Sequence, residues 1–215
     1  MASELKLLVL DNNGTMLDDL ALAYGSVQAI FSILDLSAPT LEQYRNEITA
    51  DFMRFYYKYG IPRDVTGDQL NTVRKLYFRA RPGAACYRPD LEPMLQYARQ
   101  RGIRLAVCSA EIQDVLIECL DRAGLTEYFD RIGGQAWPRK GPMLLKMLDG
   151  LGCCANESAL VSDTVEDLED ARSAGMQTIG LLHSTAYNSA DRIEAFRPDH
   201  TVVSFEDLQN LLTYI

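Results

Sequence analysis

Several short apolar runs of this sequence end in polar side chains whose types suit phosphate chemistry. Asp11, Ser109 and Asp163 each come at the end of such a run, and Lys140 stands just before a helical pattern. A carboxylate can attack phosphorus or bind a hard cation, while hydroxyl and ammonium groups can bind phosphoryl oxygens. Because ligands collect at the carboxyl ends of parallel strands, we expect these side chains to share one site.

The elements that must position these residues alternate between strand and helix. Apolar runs rich in β-branched residues lie at 7–10, 103–108, 158–162, 177–182 and 201–204. The runs are continuous rather than alternating, which indicates strands that are buried on both faces. Helical apolar spacing separates them, for example at 110–125, where Gly124 is placed to end the helix. The pattern predicts an α/β fold with a doubly wound parallel sheet.

One long segment, residues 17–87, breaks this alternation because its pattern is helical throughout. Helices are predicted at 18–35, 40–59 and 67–80. Breakers at 37–39 and 60–62 separate them. We interpret the segment as an α-helical cap (17–87) inserted into a Rossmann-like core that comprises residues 1–16 and 88–215.

Composition narrows the function class. With 21 basic and 30 acidic residues among 215, the net charge of −9 argues against binding to nucleic acid or to anionic membranes. No apolar run approaches the roughly 20 residues of a membrane span, and the first residues do not resemble a secretory signal. The five cysteines form no C-x-x-C pair, which favours a reducing compartment. We therefore expect a cytoplasmic monomer or homodimer.

Four motifs follow one another along the chain: Asp-x-x-Gly-Thr at 11–15, Ser109, Lys140, and Ser-Asp-x-x-x-Asp at 162–167. Together they resemble the haloacid dehalogenase superfamily of phosphatases and phosphotransferases. The helical insertion between the first two motifs is similar to the cap of the phosphoglycolate phosphatase-like branch. The resemblance extends over essentially the whole chain.

That resemblance implies a Mg²⁺-dependent hydrolase of a small phosphorylated metabolite, with Asp11 forming an aspartyl-phosphate. The implied catalytic residues are Asp11, Asn13, Ser109 and Lys140. The implied phosphate-binding residues are Asn12, Gly14, Thr15, Ser109 and Lys140. For the metal, the implied residues are Asp11, Asn13 through its backbone carbonyl, Asp163, and Asp167 as an acid that orients metal-bound water.

Position 13 departs from the family pattern, because related phosphatases have a second aspartate where this chain has Asn13. That aspartate protonates the leaving alkoxide and later deprotonates water, which is typically worth about 10²- to 10⁴-fold in rate. Three accounts fit the amide: a substrate whose leaving group needs no proton, such as an acyl or aryl phosphate; a catalytically impaired or silent phosphate-binding descendant; or an engineered substitution that traps an intermediate.

Simpler interpretations stand beside some of these assignments. Arg139 could take the place that we assign to Lys140, which we prefer because it is nearer the following helix. In the cap, Arg54 and Lys58 lie four residues apart and could grip a distal anionic group of the substrate. We favour the alternative that they form a solvated face over a packed aromatic stripe.

Overall fold

A central parallel sheet organises the chain in the computed structural model, which describes residues 4–215. The strands are β1 (Leu7–Leu10), β2 (Leu17–Asp18), β3 (Cys86–Tyr87), β4 (Arg104–Cys108), β5 (Arg131–Gly133), β6 (Ser158–Ser162), β7 (Gln177–Leu181) and β8 (His200–Val202). Six of them form the sheet in the order β5-β4-β1-β6-β7-β8, with every pair parallel. The predicted doubly wound α/β fold is confirmed.

Ten α-helices accompany the strands within residues 4–215, and those outside the predicted cap segment cover both faces of the sheet. The ten are α1 (Leu20–Ile33), α2 (Leu41–Glu47), α3 (Phe52–Lys58), α4 (Gly67–Arg79), α5 (Leu91–Gln100), α6 (Gln113–Arg122), α7 (Gly141–Leu151), α8 (Val165–Ser173), α9 (Ala190–Phe196) and α10 (Phe205–Leu211). None of the helices within residues 4–215 is both long enough and apolar enough to cross a membrane.

The continuous apolar run of β1 reflects burial on both faces. Leu8 and Leu10 pack in one core cluster, which also contains side chains of α5, α6 and α10. Leu7 and Val9 point the other way, into a second cluster with side chains of α7 and α8. Because side chains alternate across a strand, both faces of β1 need apolar residues.

The predicted cap segment contains helices α1 to α4 and has a buried cluster of its own. Phe31 of α1, Tyr44 of α2, Phe55 of α3 and Leu70 of α4 belong to this cluster. The chain leaves the core through β2 and returns through β3, and these two strands pair antiparallel with each other. The division into core (1–16 and 88–215) and cap (17–87) stays a prediction.

Two local features differ from the predicted elements. The helix predicted at 40–59 is two helices, α2 and α3, because Ile48 adopts an extended conformation (φ −63°, ψ 138°). Ile48 and Thr49 are β-branched residues with reduced helix propensity, so a break there has a local cause. Strand β5 was not predicted, because three residues are too short for a periodic pattern.

Candidate active site

Asp11 lies at the carboxyl end of the central strand β1, between β4 and β6. Its backbone amide donates to the carbonyl oxygen of Val161 at 3.0 Å, so strand pairing continues up to this residue. The side chain is almost entirely buried, and its Oδ1 accepts a hydrogen bond from the amide of Asn12 at 2.7 Å. Asp11 also lines a cavity of about 790 Å³ that extends beneath the cap helices. A buried carboxylate on rigid backbone thus faces an open cavity.

Lys140 joins Asp11 to a second carboxylate. Its Nζ donates to Oδ1 of Asp11 and, at 2.6 Å, to Oδ2 of Asp167. Its backbone amide donates to Oδ2 of Asp170 at 2.6 Å, which anchors the residue at the start of α7. Arg139 points away and pairs with Asp170. Of the two candidate cations, Lys140 is the one that reaches Asp11.

Burial dominates the electrostatics of this cluster. It raises the pKa of Asp11; Lys140 opposes the shift, while Asp167 and Asp163 add to it. Burial also raises the pKa of Asp163. For Lys140, burial alone would lower the pKa, but the carboxylates of Asp11 and Asp167 raise it above its ordinary value. Two carboxyl groups, those of Asp11 and Asp167, therefore share one ammonium group, and Asp163 adds a third negative charge nearby. This excess of buried carboxyl groups favours binding of a further cation.

Thr15 and Asp163 lock the loop of residues 11–15 (the Asp11 loop) against β6. The Thr15 hydroxyl donates to Oδ1 of Asp163 at 2.8 Å and accepts from its backbone amide at 3.1 Å. Oδ2 of Asp163 accepts from the amide of Tyr187 at 2.5 Å. Gly14 has φ +76°, and a Cβ there would lie 2.2 Å from Oδ2 of Asp163. The Thr15 hydroxyl thus donates its single proton to Asp163, and its phosphate-binding role stays a prediction.

Two backbone amides of the predicted phosphate cradle also have partners within the chain. The Asn12 amide faces the Asp11 carboxylate. The Gly14 amide donates to Oδ1 of Asp19 at 2.9 Å and to the carbonyl oxygen of Leu17 at 2.9 Å. These bonds form because the loop turns back sharply on itself. The phosphate-binding roles of Asn12 and Gly14 stay predictions.

Asn13 lines the cavity and is held by a buried carboxylate that the sequence did not reveal. Its Nδ2 donates to Oδ2 of Asp19 at 2.8 Å, and its Oδ1 accepts from Nδ2 of Asn12 at 3.3 Å. The Tyr187 hydroxyl donates to the same oxygen of Asp19 at 2.9 Å. In sequence, Asp19 looks like an ordinary residue preceding the first cap helix, so no local signal marks it.

Arg88, likewise unpredicted, clamps the Asp11 loop from beneath. Its buried guanidinium donates to the carbonyl oxygens of Thr15 at 2.7 Å and Gly14 at 2.8 Å. Another of its nitrogens contacts His183 Nδ1 at 2.8 Å and Thr185 Oγ1 at 3.1 Å. Burial, and then the charge of Arg88, lower the pKa of His183. A neutral His183 can accept the hydrogen bond from Arg88.

Ser109 follows β4 and is oriented by the neighbouring strand end. Its amide donates to the carbonyl oxygen of Gly133 at 2.9 Å, and its Oγ accepts from the amide of Glu111 at 3.1 Å. The hydroxyl proton can therefore be donated to a ligand in the cavity, which Ser109 lines. The carbonyl oxygen of Ser109 accepts from Ala136 at 2.9 Å, which draws in the loop that carries Trp137.

The cap contributes a different cation from those considered in the sequence. Arg74 of α4 lines the cavity and has no hydrogen bond or ion pair within residues 4–215. Arg54 and Lys58 instead line a separate pocket together with Arg63, and Lys58 pairs with Glu47 at 2.5 Å. Arg54 and Lys58 therefore lie outside the cavity that contains Asp11, whereas Arg74 lines it.

A buried donor without a partner also faces the cavity. Asn188 is 1 % exposed, and its Oδ1 accepts from the amide of Val165 at 2.9 Å. Its Nδ2 has no hydrogen-bond partner in the described part of the chain, although Asn188 lines the cavity. Because a buried unsatisfied donor is costly, a ligand oxygen or a water molecule is its natural partner.

The residues predicted to bind a metal fit a hard cation in their chemistry. Within residues 4–215 there is no group of three His, Cys, Asp or Glu side chains arranged to hold a metal ion. The predicted set needs only two carboxylates, Asp11 and Asp163, because Asn13 would contribute its backbone carbonyl. Asp167 is bound to Lys140 and to the Ser162 hydroxyl at 2.7 Å, which suits its predicted indirect role. The ligand set stays a prediction.

Comparison with known families decides the class of the protein. The family model of haloacid dehalogenase-like hydrolases matches residues 8–181, which is most of the chain. The chain therefore belongs to the haloacid dehalogenase-like hydrolase family. The predicted resemblance and the predicted enzyme class are both confirmed. Within the hydrolase core, the matched region includes the Asp11 loop, Ser109, Lys140 and Asp163.

Relatives of this hydrolase point to one branch of the family. A phosphoglycolate phosphatase from Vibrio parahaemolyticus is 28% identical over 95% of both chains. The structure of a putative phosphoglycolate phosphatase from Lactobacillus delbrueckii subsp. bulgaricus superimposes with a TM-score of 0.76 over 99% of both chains, at 17% identity. A haloacid dehalogenase-like protein of unknown function from Agrobacterium tumefaciens gives a TM-score of 0.78 over 97% of this chain and 98% of its own, at 18% identity. These structural matches establish the fold.

Proposed function

We propose that this hydrolase is a phosphatase that cleaves a small phosphorylated metabolite through a phosphorylated Asp11. The observation that carries the proposal is the position of Asp11: buried at the end of the central strand, in contact with Lys140, and open to the cavity. A nucleophile fixed on a sheet end, with a cation beside it, suits transfer of a group that carries negative charge.

In this proposal an oxygen of Asp11 attacks phosphorus in line with the departing ester oxygen. Lys140 Nζ and the Ser109 hydroxyl donate to the phosphoryl oxygens and stabilise the charge that builds up on them. Water then attacks the phosphorus of phospho-Asp11 and releases phosphate. Lys140 can stabilise the phosphoryl oxygens in both steps, because its contact with Asp167 holds the ammonium group in place after Asp11 is phosphorylated.

Mg²⁺ is part of the proposal, with Asp11, the backbone carbonyl of Asn13, and Asp163 as the residues that would hold it. The ion would supply positive charge to the phosphoryl oxygens. Its binding is supported by the excess of buried carboxyl groups over the single ammonium of Lys140. Asp167 would orient bound water from its fixed position beside Lys140.

The substrate would extend from Asp11 into the cavity beneath the cap. Arg74 from the cap and Asn188 Nδ2 from the core both line the cavity, and neither has a hydrogen-bond acceptor within residues 4–215. Both suit an acceptor group on the substrate distant from the phosphate. A relative is named phosphoglycolate phosphatase, and the carboxylate of phosphoglycolate is such an acceptor group.

A silent phosphate- or metabolite-binding protein is the alternative, and the amide at position 13 is the observation that favours it. In that case the cavity and Lys140 would serve recognition only. For either function we propose a cytoplasmic monomer or homodimer that acts independently of nucleic acid and membranes; the free state of all five cysteines supports a reducing compartment.

Phosphate release decides between the two functions. The protein is incubated with Mg²⁺ and aryl, acyl and alkyl phosphates, with Asp11→Ala as the blank. We expect phosphate release that chelation by EDTA and Asp11→Ala both abolish. Tight binding of a phosphate compound without release by the unmodified protein or by Asn13→Asp would favour the silent protein.

A further inference from the structure

Asp19 makes position 13 a site for an amide. Its carboxylate accepts from Asn13 Nδ2 at 2.8 Å, from the Gly14 amide at 2.9 Å and from the Tyr187 hydroxyl at 2.9 Å. A carboxylate only accepts, so the NH₂ end of Asn13 must face Asp19. An aspartate at 13 would place a half-buried carboxyl group at hydrogen-bond distance from the buried carboxyl group of Asp19, where the like charges disfavour ionisation of both. The surroundings of Asn13 are therefore matched to asparagine.

The carboxyl groups nearest Asp11 are also engaged. Asp167 accepts from Lys140 at 2.6 Å and from Ser162 at 2.7 Å. Both oxygens of Asp163 accept hydrogen bonds, and its side chain is fully buried behind the Asp11 loop. Asp19 lies behind Asn13 and does not line the cavity. None of these three is placed to protonate an oxygen that leaves a phosphorus at Asp11.

The cavity next to this site is roomy and partly aromatic. Its volume of about 790 Å³ lies within the roughly 300–1,000 Å³ of sites for drug-sized ligands. Rings from the cap, Tyr44, Phe52 and Tyr56, line one part, and Trp137 lines it from the loop next to Ser109. Trp137 is 59% exposed, an unusual position for such a large apolar ring. A planar aromatic group would have several faces to pack against.

We propose that the substrate is a phosphate whose leaving group is a weak base, and that it is an aryl phosphate with its ring in the aromatic part of the cavity. This inference rests on the proposed phosphatase function. An oxygen of Asp11 attacks phosphorus, and the bond from phosphorus to the aryl oxygen breaks. The electron pair leaves with the oxygen as phenolate, which takes a proton from water only after departure.

Phospho-Asp11 is then hydrolysed without a dedicated base. Water attacks phosphorus, the bond to Asp11 breaks, its electron pair returns to the carboxylate, and the proton of the water passes to the released phosphate or to solvent. Because position 13 offers no carboxylate to remove that proton, this second step should be slower than the departure of a phenolate. The expected signature is a burst of phenol release followed by slower turnover.

The inference is tested by measuring kcat/KM for a series of substituted phenyl phosphates and for a series of alkyl phosphates. This parameter reports the steps from free enzyme and substrate up to departure of the leaving group. For the unmodified chain we expect kcat/KM to fall steeply as the leaving phenol becomes more basic. Alkyl phosphates should be slower than phenyl phosphate by about 10²-fold or more, the usual worth of proton donation. Intact mass first confirms that Asn13 has not deamidated.

An exchange variant provides the matched control. Asn13→Asp together with Asp19→Asn keeps one carboxyl and one amide but moves the acid into the cavity. We expect it to raise kcat/KM for alkyl phosphates by about 10²- to 10⁴-fold, to flatten the dependence on leaving group, and to remove the burst. Asn13→Asp alone should gain less, because it faces Asp19. Trp137→Ala should raise KM for aryl phosphates but not for acetyl phosphate.

The outcomes separate the two proposals. Alkyl phosphates cleaved as fast as phenyl phosphate by the unmodified chain would overturn the leaving-group inference and leave the phosphatase function standing. Preference for acetyl phosphate over every aryl phosphate would overturn the aryl assignment. If the unmodified chain is folded, as shown by a cooperative unfolding transition, and releases phosphate from none of the compounds, both proposals are overturned. The substrate series measured on the unmodified chain tests the leaving-group inference even if the exchange variant does not fold.

Discussion

The guanidinium of Arg88 donates a 2.8 Å hydrogen bond to the carbonyl oxygen of Gly14, the residue whose missing Cβ lets Asp163 approach the loop. The same side chain holds the carbonyl oxygen of Thr15 at 2.7 Å. A residue just beyond the cap therefore sets the backbone of the Asp11 loop from its buried side.

Replacing this clamp should cost both stability and activity. Arg88→Ala removes charge-assisted hydrogen bonds to two buried carbonyl groups, and we expect a loss of about 3 kcal/mol in the free energy of unfolding. The measurement is urea denaturation. Arg99→Ala is the control, because Arg99 and Asp130 form a partly exposed pair worth about 1 kcal/mol or less. Equal unfolding midpoints for the two variants would contradict the clamp.

Arg74 offers a test of substrate contact by the cap. Arg74→Met removes the unpaired guanidinium from the cavity, and we expect KM to rise about tenfold or more for substrates with a second anionic group. Substrates without that group should change little. Arg54→Met is the matched control, because Arg54 lines a separate pocket. A similar loss in both variants would mean that Arg74 acts through cap stability rather than through contact.

Mg²⁺ should stabilise the folded chain. The ion would offset the repulsion among Asp11, Asp163 and Asp167, so we expect the melting temperature to rise with Mg²⁺ concentration. Saturation at about 100 times Kd corresponds to about 2.7 kcal/mol. Differential scanning fluorimetry with and without EDTA measures the effect. Asp163→Asn should abolish most of the rise, whereas Glu194→Gln, at an exposed position on α9, should retain it. A full rise in Asp163→Asn would exclude Asp163 as a ligand.

Asp199 precedes β8, at the edge of the sheet, and we expect it to make the stability of the folded chain depend on pH. Burial alone would raise its pKa, but the hydrogen bonds from the Thr178 hydroxyl at 2.7 Å and amide at 2.8 Å hold it below the ordinary value. A depressed folded-state pKa contributes stability above the unfolded pKa of about 4, and that stability is lost as pH falls through the folded value.

Asp199→Asn should therefore be less stable than the unmodified chain at pH 7, by about 1 kcal/mol because the group is largely exposed. The difference should shrink as the pH falls below about 4, where the carboxyl group becomes protonated. Urea denaturation at several pH values measures it, with Glu194→Gln as the control. A difference that stays constant down to pH 2.5 would assign the effect to packing.

Much of the fold and part of the site followed from local patterns. Continuous apolar runs predicted the buried parallel strands. The rule that ligands bind at the carboxyl ends of such strands then indicated Asp11, Ser109 and Asp163. Lys140 was separable from Arg139 only by its distance to the next helix, and the structure places it in the cluster.

The supporting residues could not be predicted in the same way. Asp19 lies at an element boundary and Arg88 beyond the cap, and both bond to the Asp11 loop. Tyr187, in a loop after β7, lies against Gly14 of the same loop, so the roles of all three depend on tertiary contacts. The position of Arg74 in the cavity could not be predicted for a related reason. Helical spacing tells which residues share a face, but the docking of α4 decides which face meets the cavity.

The pairing of β2 with β3 has a consequence for how such chains diversify. Because Leu17 and Tyr87 are direct partners in that ribbon, the chain departs from the core and rejoins it at neighbouring points. A segment spliced between them could differ in length and helix number without rerouting the strands that carry Asp11 and Ser109. We therefore expect the segment between β2 and β3 to tolerate replacement better than any segment between strands of the parallel sheet.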